Sequence, residues 1–484
     1  MEEGGTRPPS EESTVIIRSS FFTWAVLAVI AAVPASAQFY LQSNLVSDIA
    51  GMAPVTDSHL VNPWGVALGS TGPFWVSNAG TSTSTLYSVA PSTAAVSALP
   101  LVVNVPAPTG QVHNGVSTDF ILNGVASAFI FASLNGSIYA WNTDGFASPV
   151  ATGAAPSVYT GLALGTFSGS QHLYAANPAG NRIDVYDNTF ANVNAAFAGK
   201  WVDGGLPAGL VPFNIANING NLYVSYAPMN PTVVGLGVID VYDTSGNLIR
   251  RFATGDAVNV PLYDPWGMVV APANFGKFSN ALLVGNFNLG VSGTPPAGGP
   301  GYILAFDLNG TFLGMLKGTD GNPLSIDGLW QLVFGNGSLS ASGVGGGSTD
   351  ALYFAAGIQN QQHGLFGSLT ACTGPVISHA AASPSALWPP NNKFVPVSVD
   401  YDVADNCDTA PSCSLSVTVA DSGGGIDNLA NAFMVVDSHH VELRASRNGG
   451  GDGRIYSIAI DCKDKLPLSS SATVTVTVPH DQGH

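Results

Sequence analysis

The sequence predicts an all-β protein in which a six-bladed β-propeller is followed by a small β-sandwich. Three observations predict this fold. A unit of three apolar runs recurs six times at intervals of about fifty residues, which is the length of a propeller blade. All four cysteines lie in the last quarter of the chain, where the composition changes. Gly and Pro, 57 and 32 of the 484 residues, interrupt the chain too often for long helices.

Each repeat contains an apolar run that ends in a small or amide residue, a Gly/Asn turn and a second alternating run. The first runs lie at 74–78, 129–133, 173–177, 222–226, 282–286 and 352–356, and the second runs at 85–89, 137–141, 182–186, 238–242, 302–306 and 364–368. Two of the second runs carry the identical Ile-Asp-Val-Tyr-Asp. Because small antiparallel sheets protect their edges by closing into a ring, we predict a propeller over 38–371.

A third run precedes each pair and is predicted to be the innermost strand of its blade. These runs open with Asn62-Pro63-Trp64-Gly65, Asn114-Gly115, Thr160-Gly161, Phe213-Asn214, Asp264-Pro265-Trp266-Gly267 and Asp327-Gly328-Leu329-Trp330. The loops that enter the inner strands of a propeller converge on one mouth of the central channel. We therefore expect that mouth to present Asn62, His113, Asn114, Thr160, Asn214, Asp264 and Asp327, with Asn78, Asn177 and Asn286 behind them.

Two interpretations of this polar set remain open. Amide oxygens and two carboxylates suit a hard cation such as Ca²⁺, with Asp264 and Asp327 as its ligands and the amides as a ligand-binding surface. Alternatively, Asn and Asp occur there because they cap turns and tolerate left-handed backbone. His113 is a candidate general base or a hydrogen-bonded loop residue. The Gly/Pro-rich loop 287–301 would cover the mouth as a lid or form a surface excursion.

Composition argues against several functions. A net charge of −17 repels phosphate, so nucleic acid is not an expected partner. The propeller region contains neither Glu nor Cys, which disfavours paired-Glu glycosidases and thiol nucleophiles. The leading hypothesis is an extracellular binding or scaffold protein whose channel mouth takes a small molecule, glycan or peptide. The alternative is a metal-assisted hydrolase or lyase that uses Asp264, Asp327 and His113.

The N-terminus predicts export. Arg18 precedes the apolar run 21–33, and Ala35-Ser36-Ala37 forms a cleavage pattern before Gln38. We predict a signal peptide over 1–37 and a secreted, periplasmic or cell-surface protein; an uncleaved membrane anchor is the alternative. No later segment is apolar enough to cross a membrane.

The region 372–484 is predicted to be an immunoglobulin-like sandwich of roughly seven strands. Period-two alternation is found at 397–403, 414–419, 439–444, 454–460 and 472–478. An even number of cysteines in an exported chain favours two disulfides over a metal site, and C-x5-C is not a zinc spacing. The four cysteines are Cys372, Cys407, Cys413 and Cys462.

Several motifs resemble known families. Pro-Trp-Gly-Val-Ala-Leu at 63–68, Trp-Val-Ser-Asn at 75–78 and Gly-Asn-Arg-Ile-Asp-Val-Tyr-Asp at 180–187 are similar to the repeat of NHL-type propellers. The region 38–371 resembles an uncharacterised bacterial family of secreted propellers, a resemblance that implies the fold and no activity. It is otherwise similar to calcium-dependent lactonase-like propellers, whose ligating Glu has no counterpart in this ring.

The tail resembles bacterial immunoglobulin-like and HYR-type modules. The resemblance rests on the turns Asp405-Asn406-Cys407-Asp408 and Asp461-Cys462-Lys463-Asp464, and it implies a structural or adhesive part. Four cysteines allow three connectivities. We favour Cys372 with Cys407 and Cys413 with Cys462.

Overall fold

The structure is a computed structural model that describes residues 39–229, 237–256, 258–287, 301–421 and 431–481. The predicted all-β propeller fold is confirmed. The described helical segments are single turns at Asn194–Phe197, Gly276–Phe278 and Ile358–Gln361, and the last has left-handed backbone at Gln359 and Asn360 (φ 52° and 58°). The predicted signal peptide lies outside the described residues, as does almost all of the loop 287–301. Within the described ranges, no helix is long and apolar enough to cross a membrane.

Six antiparallel sheets form the blades, each described here from its innermost strand outward. Blade 1 contains Pro63–Ala67, Phe74–Asn78, Thr83–Val89 and Val96–Asn104; blade 2 contains Pro108–His113, Phe129–Ser133, Ser137–Trp141 and Ser148–Thr152; blade 3 contains Gly161–Phe167, Ser170–Asn177 and Arg182–Tyr186. Blade 4 contains Leu210–Ile218, Asn221–Pro228, Val238–Tyr242 and Leu248–Thr254; blade 5 contains Pro265–Val270, Leu282–Asn286, Ile303–Phe306 and Phe312–Met315; blade 6 contains Leu329–Phe334, Ala351–Ala356, Leu365–Ala371 and Phe39–Ser47. The short strands are Val55–Thr56 and Lys317–Gly318, which pair with Phe39–Ser47, and the hairpin Ile121–Leu122 with Val125–Ala126.

The inner strands contact one another around the channel axis, and the ring closes where blade 6 meets blade 1. The glycines of the two Pro-Trp-Gly motifs allow this close approach. A Cβ atom on Gly65 would collide with the carbonyl oxygen of Thr109, and one on Gly267 with that of Trp330. The second strands of the blades are buried on both faces, because each sheet packs between two neighbours.

The predicted inner strands are correct for blades 1, 3, 5 and 6 and wrong in register for blades 2 and 4. In blade 2 the inner strand is Pro108–His113, so His113 and Asn114 end the strand instead of preceding it. The insertion 114–128, which carries the short hairpin, displaced the predicted start. In blade 4, Asn214 lies inside the strand Leu210–Ile218, opposite Ser225.

The N-terminal strand Phe39–Ser47, here called the closure strand, completes blade 6 and was not predicted. It pairs antiparallel with Leu365–Ala371, with Leu41 opposite Thr370. Tyr40 is fully buried, and its hydroxyl donates a hydrogen bond to the carbonyl oxygen of Phe275 in blade 5 (3.0 Å). Through its pairing with Leu365–Ala371, the first strand of the ring is hydrogen-bonded to the last strand of the ring.

After Ala371 the chain forms two further sheets that share one apolar core. One sheet is Val376–Ser383, Phe394–Ala404, His440–Arg444 and Phe433–Val435; the other is Ser412–Asp421, Gly453–Lys463 and Ser469–Pro479. The predicted sandwich of about seven strands agrees with these sheets. The favoured disulfides, Cys372–Cys407 and Cys413–Cys462, are confirmed.

The closure strand also contacts the tail module. Phe39 and Leu41 pack against a small buried cluster of Cys372, Cys407, Leu466 and Leu468. The backbone N–H of Cys372 donates to the carbonyl oxygen of Phe39 (2.8 Å). One strand therefore both closes the ring and contributes to the apolar core beneath the tail.

Candidate functional site in the propeller channel

Four aromatic side chains fill the middle of the channel and are called here the aromatic plug: Trp64, Trp266, Phe287 and Trp330. Trp330 stacks on Trp64 (ring centroids 3.5 Å apart) and on Phe287 (3.8 Å), while Trp266 meets Trp64 edge-on. Trp64, Trp266 and Trp330 come from the predicted openings of inner strands, so the prediction of these openings placed them correctly at the channel. The plug separates a cavity at the starts of the inner strands from one at their ends.

The strand-end cavity has a volume of about 450 Å³. Its lining residues come from the inner strands of all six blades: Ala67, Leu68, Gly110, Gln111, Val112, His113, Leu162, Ala163, Leu164, Asn214, Ile215, Ala216, Asn217, Trp266, Met268, Gln331 and Val333. None of these described lining residues is Asp, Glu, Lys or Arg. The cavity is therefore neutral, with amides and one imidazole as its strongest hydrogen-bonding groups.

The amides of this cavity use their N–H groups on the protein. Gln111 donates to the carbonyl oxygens of Gly65 (3.0 Å) and Trp75 (2.5 Å), and Asn214 donates to that of Trp266 (2.6 Å). Gln331 donates to the carbonyl oxygen of Leu332 (3.1 Å). The buried Oε1 of Gln111 accepts no hydrogen bond from the described residues. Gln111 thereby uses both of its N–H groups, whereas Asn214 and Gln331 each use one of two and keep a donor beside their acceptor oxygen.

His113 lies in this cavity, at the far end of the channel from the mouth where we expected it. Its ring packs edge-on against Phe129 (centroids 5.2 Å apart), and burial lowers its pKa. The imidazole is therefore mainly neutral at neutral pH, with one nitrogen able to accept a hydrogen bond. No described carboxylate orients it, since no hydrogen bond or ion pair joins its ring to an acid.

The other predicted polar residues lie at the strand starts or within blades, where they hydrogen-bond to their own turns or to neighbouring segments of the ring. The Oδ1 of Asn177 accepts from the backbone N–H groups of Val158 and Gly180, and that of Asn286 from Tyr263. Asn78 donates to the hydroxyls of Thr83 and Thr85, and the Thr160 hydroxyl donates to the carbonyl oxygen of Phe213. Asn114 binds the backbone of its own loop through Val116, Asp119 and Ser127. Asn114 and Asn177 therefore cap their own turns, as the turn-capping interpretation expects, while the others join neighbouring segments.

The strand-start cavity, of about 230 Å³, lies at the predicted mouth. It is lined by Trp64, Phe213, Ala227, Pro228, Met229, Asp264, Phe287, Trp330 and Gln361. Asp264 is the one charged residue in this set, and burial raises its pKa to about 7. Asp327 is not in the lining, and its Oδ2 accepts a hydrogen bond from the backbone N–H of Gln359 (2.7 Å).

The two carboxylates do not form the expected calcium site. Calcium takes six to eight oxygen ligands. In the structure Asp264 lines the cavity while Asp327 is hydrogen-bonded to the helical turn, and the Oδ1 of Asn62 accepts from Trp64 Nε1 (3.1 Å). The described chain holds no group of three or more His, Cys, Asp or Glu that could bind a metal ion. The described residues of the predicted set are therefore not brought together as ligands of one Ca²⁺ ion, and the calcium site stays a prediction.

Replacement of Asp264 by asparagine is expected to stabilise the protein at alkaline pH. A carboxyl pKa of about 7, above the unfolded value of 3.8, means that the native state holds its proton more tightly. Stability from this group is complete below the unfolded pKa and is lost as the pH rises through 7. We expect Asp264→Asn to raise the free energy of unfolding by about 1–3 kcal/mol near pH 8 and to change little near pH 4.

Urea denaturation at the two pH values measures this effect. Asp327→Asn is the matched control, because its carboxylate already accepts a backbone hydrogen bond. Equal stability of the Asp264→Asn variant and the unaltered protein near pH 8 would contradict the expectation.

Sequence reasoning missed Gln111, Asn217 and Gln331, the amides of the strand-end cavity. A strand alternates its side chains, so in a correctly registered inner strand the channel-facing positions can be counted from the opening. Gln111 was missed because the start of its strand was misplaced. Gln331 directly follows Trp330 of a correctly predicted opening, so counting along that strand could have found it.

Comparison with known proteins adds relatives of unknown activity. No protein-family description matches the chain. Two uncharacterized proteins of Acanthamoeba polyphaga mimivirus are each 29% identical, over 357 residues (69% of this chain, 80% of the relative) and 352 residues (67% and 84%). A third from the same virus is 32% identical over 216 residues, 42% of this chain and 37% of its own length. The resemblance to a bacterial family and to HYR modules stays a prediction.

Two solved propellers are similar at low identity. A streptogramin B lyase structure has a TM-score of 0.38 at 12% identity and covers 69% of this chain and 97% of its own. The WD40 β-propeller domain of Doa1 has a TM-score of 0.34 at 9% identity, with 69% and 96% covered.

Proposed function

We propose that the protein is a secreted ligand-binding protein whose strand-end cavity holds a small, neutral ligand rich in hydroxyl or amide groups, such as the end of a glycan. A propeller fold supports a ligand-binding or scaffold role in general. The observation that supports a small neutral ligand is the strand-end cavity itself, which has a volume of about 450 Å³, an uncharged described lining and hydrogen-bonding groups from several blades.

The chemistry of the lining selects the ligand. The Oε1 of Gln111 has no partner among the described residues, and the amides of Asn214 and Gln331 each use one N–H group on a backbone carbonyl. The lining therefore offers acceptors together with a few donors, which suits sugar hydroxyls or amide groups that both donate and accept. A charged ligand would lose its hydration without a counter-charge in this lining, which disfavours it.

The same lining favours binding over catalysis. The lowered pKa of His113 suits a general base. However, a catalytic imidazole works with a group that orients it and with a nucleophile or bound water. The described lining residues supply neither a carboxylate partner nor a Ser, Thr or Cys nucleophile.

Calorimetric titration with neutral mono- and disaccharides and with end-blocked dipeptides tests the proposal. We expect one class to bind, and Gln331→Ala or His113→Ala to weaken it about fivefold to tenfold through one lost hydrogen bond. Gln42→Ala is the matched control, since Gln42 lies on the outermost strand of blade 6. The proposal would be refuted if no probe bound, or if both cavity variants bound the probe as tightly as the unaltered protein does.

Export is part of the same proposal and has its own test. If the leader 1–37 is removed, the protein recovered outside the cytoplasm begins at Gln38 in its mass spectrum. Two disulfides agree with an oxidising compartment. Recovery of the intact leader would favour the anchor alternative.

A further inference from the structure

Two copies of the Pro-Trp-Gly motif contribute to the strand-start cavity, and they differ in the residue that precedes the proline. Asn62 and Asp264 both precede Pro-Trp-Gly, and both have positive φ angles, 48° and 40°. The amide of Asn62 is fully engaged, because Oδ1 accepts from Trp64 Nε1 (3.1 Å) and Nδ2 donates to Gln361 Oε1 (3.0 Å). In blade 5 the indole of the equivalent Trp266 donates instead to the carbonyl oxygen of Thr160 (3.1 Å).

Asp264 is thereby left with a carboxylate that has no hydrogen bond or ion pair to any described residue. A non-glycine residue at positive φ is strained, and such strain is often found at binding sites. Burial of an unpaired carboxylate is unfavourable, and its raised pKa reflects that. A cation in the cavity would supply the missing partner.

The rest of the lining indicates which kind of cation. Among the described lining residues it offers, beside Asp264, one amide, Gln361, and otherwise aromatic and aliphatic side chains. These described side chains supply too few oxygens for a hard metal ion. Aromatic rings attract alkylammonium groups through their π faces. Trp64 and Phe287 cover the two faces of Trp330, so the ring that a cation can reach is the partly buried Phe213, whose centroid lies 5.8 Å from that of Trp330.

We propose that the strand-start cavity binds the ammonium head of a small organic cation, such as a methylated amine, with Asp264 as counter-charge and the aromatic side chains as the wall. A volume of about 230 Å³ accommodates a head group and excludes large ligands. This site lies on the other side of the plug from the strand-end cavity and does not depend on the function proposed for it.

Calorimetric titration with choline chloride near pH 8, where the Asp264 carboxyl is ionised, tests the proposal. The comparison ligand is dimethylbutanol, the neutral isostere in which carbon replaces the nitrogen. We expect choline to bind at least about tenfold more tightly than the isostere. Absence of choline binding, or equal affinity for the two ligands, overturns the proposal without any variant.

Two variants then locate the site. Asp264→Asn keeps the shape and removes the charge, so choline affinity should fall about tenfold or more, whereas Asp327→Asn should stay within about twofold. His113→Ala and Gln331→Ala change the strand-end cavity, at the other end of the channel, and should leave choline binding unchanged. This result would distinguish the choline test from the test of the strand-end cavity. Unchanged affinity in Asp264→Asn, or an equal loss in Asp327→Asn, would contradict the assignment.

Discussion

Replacement of Asp184 by alanine is expected to lower the free energy of unfolding by about 3–5 kcal/mol, because it breaks a buried charged network. Asp184 is fully buried in blade 3. Its carboxylate accepts hydrogen bonds from Arg182 (2.6 Å), Asn177 (2.8 Å), Tyr159 (2.8 Å) and Asn194 (2.6 Å). Without the carboxylate, Asn194 Nδ2 and Arg182 Nε lose the acceptor that they use, while Tyr159 and Asn177 keep only Tyr186 and Ser157 as partners.

Chemical denaturation measures this loss, with Asp187→Ala as control. Asp187 follows the third strand of the same blade and is only partly buried, and it caps the turn at Thr189 and Ala191. Its replacement should cost only about 1 kcal/mol. A loss from Asp184→Ala no larger than that would show that the network contributes little.

The pH dependence of the difference in unfolding free energy between Asp184→Ala and the unaltered protein provides a second check. Burial alone would raise the pKa of Asp184, but the hydrogen bonds from Arg182 and its neighbours outweigh burial and lower it. The contribution of Asp184 is therefore present above the unfolded pKa and disappears as the pH falls through the native value. The difference between Asp184→Ala and the unaltered protein should shrink below about pH 4.

Removal of the closure strand, residues 39–47, is expected to prevent formation of a stable monomeric ring. The deletion exposes the edge of Leu365–Ala371 and removes the buried side chains of Tyr40, Leu45 and Val46. The loss exceeds about 5 kcal/mol, which is comparable with the whole stability of many domains. Size-exclusion chromatography should show aggregates, because an unpaired edge recruits other chains.

Graded variants distinguish closure from a general effect of truncation. Tyr40→Ala should cost about 3–5 kcal/mol through the lost ring and its hydrogen bond to Phe275. Gln42→Ala on the same strand should be nearly neutral. A synthetic peptide of residues 38–48, added during refolding, should restore the monomer by strand addition. A deleted chain that remains monomeric with an unchanged melting temperature would refute the closure role.

Much of the ring could be predicted from local pattern. The paired runs alternate and end in turns, and those signals lie within about ten residues of each other. The two Ile-Asp-Val-Tyr-Asp copies occupy matching third strands, at Arg182–Tyr186 and Val238–Tyr242. The aromatic plug was accessible for the same reason, since Pro-Trp-Gly marks the start of an inner strand in two blades.

What could not be predicted depends on long-range partners. The closure strand has no repeat of its own and pairs with a strand more than three hundred residues later, as Leu41 with Thr370 shows. The position of His113 depended on an insertion that shifted one blade. The unpaired carboxylate of Asp264 could not be inferred from its motif, because Asn62 in the equivalent place satisfies its side chain completely.

The closure strand also determines the order in which the molecule can be assembled during synthesis. Phe39–Ser47 leaves the ribosome first among the ring strands, and its partner Leu365–Ala371 leaves last. Every blade must therefore be made while the first strand is still unpaired, and such non-local pairing is slow and prone to aggregation. The tail module is synthesised after these strands, so it packs against Phe39 and Leu41 later still. Closure of the ring is consequently a late event in synthesis, because it must wait until blade 6 has left the ribosome.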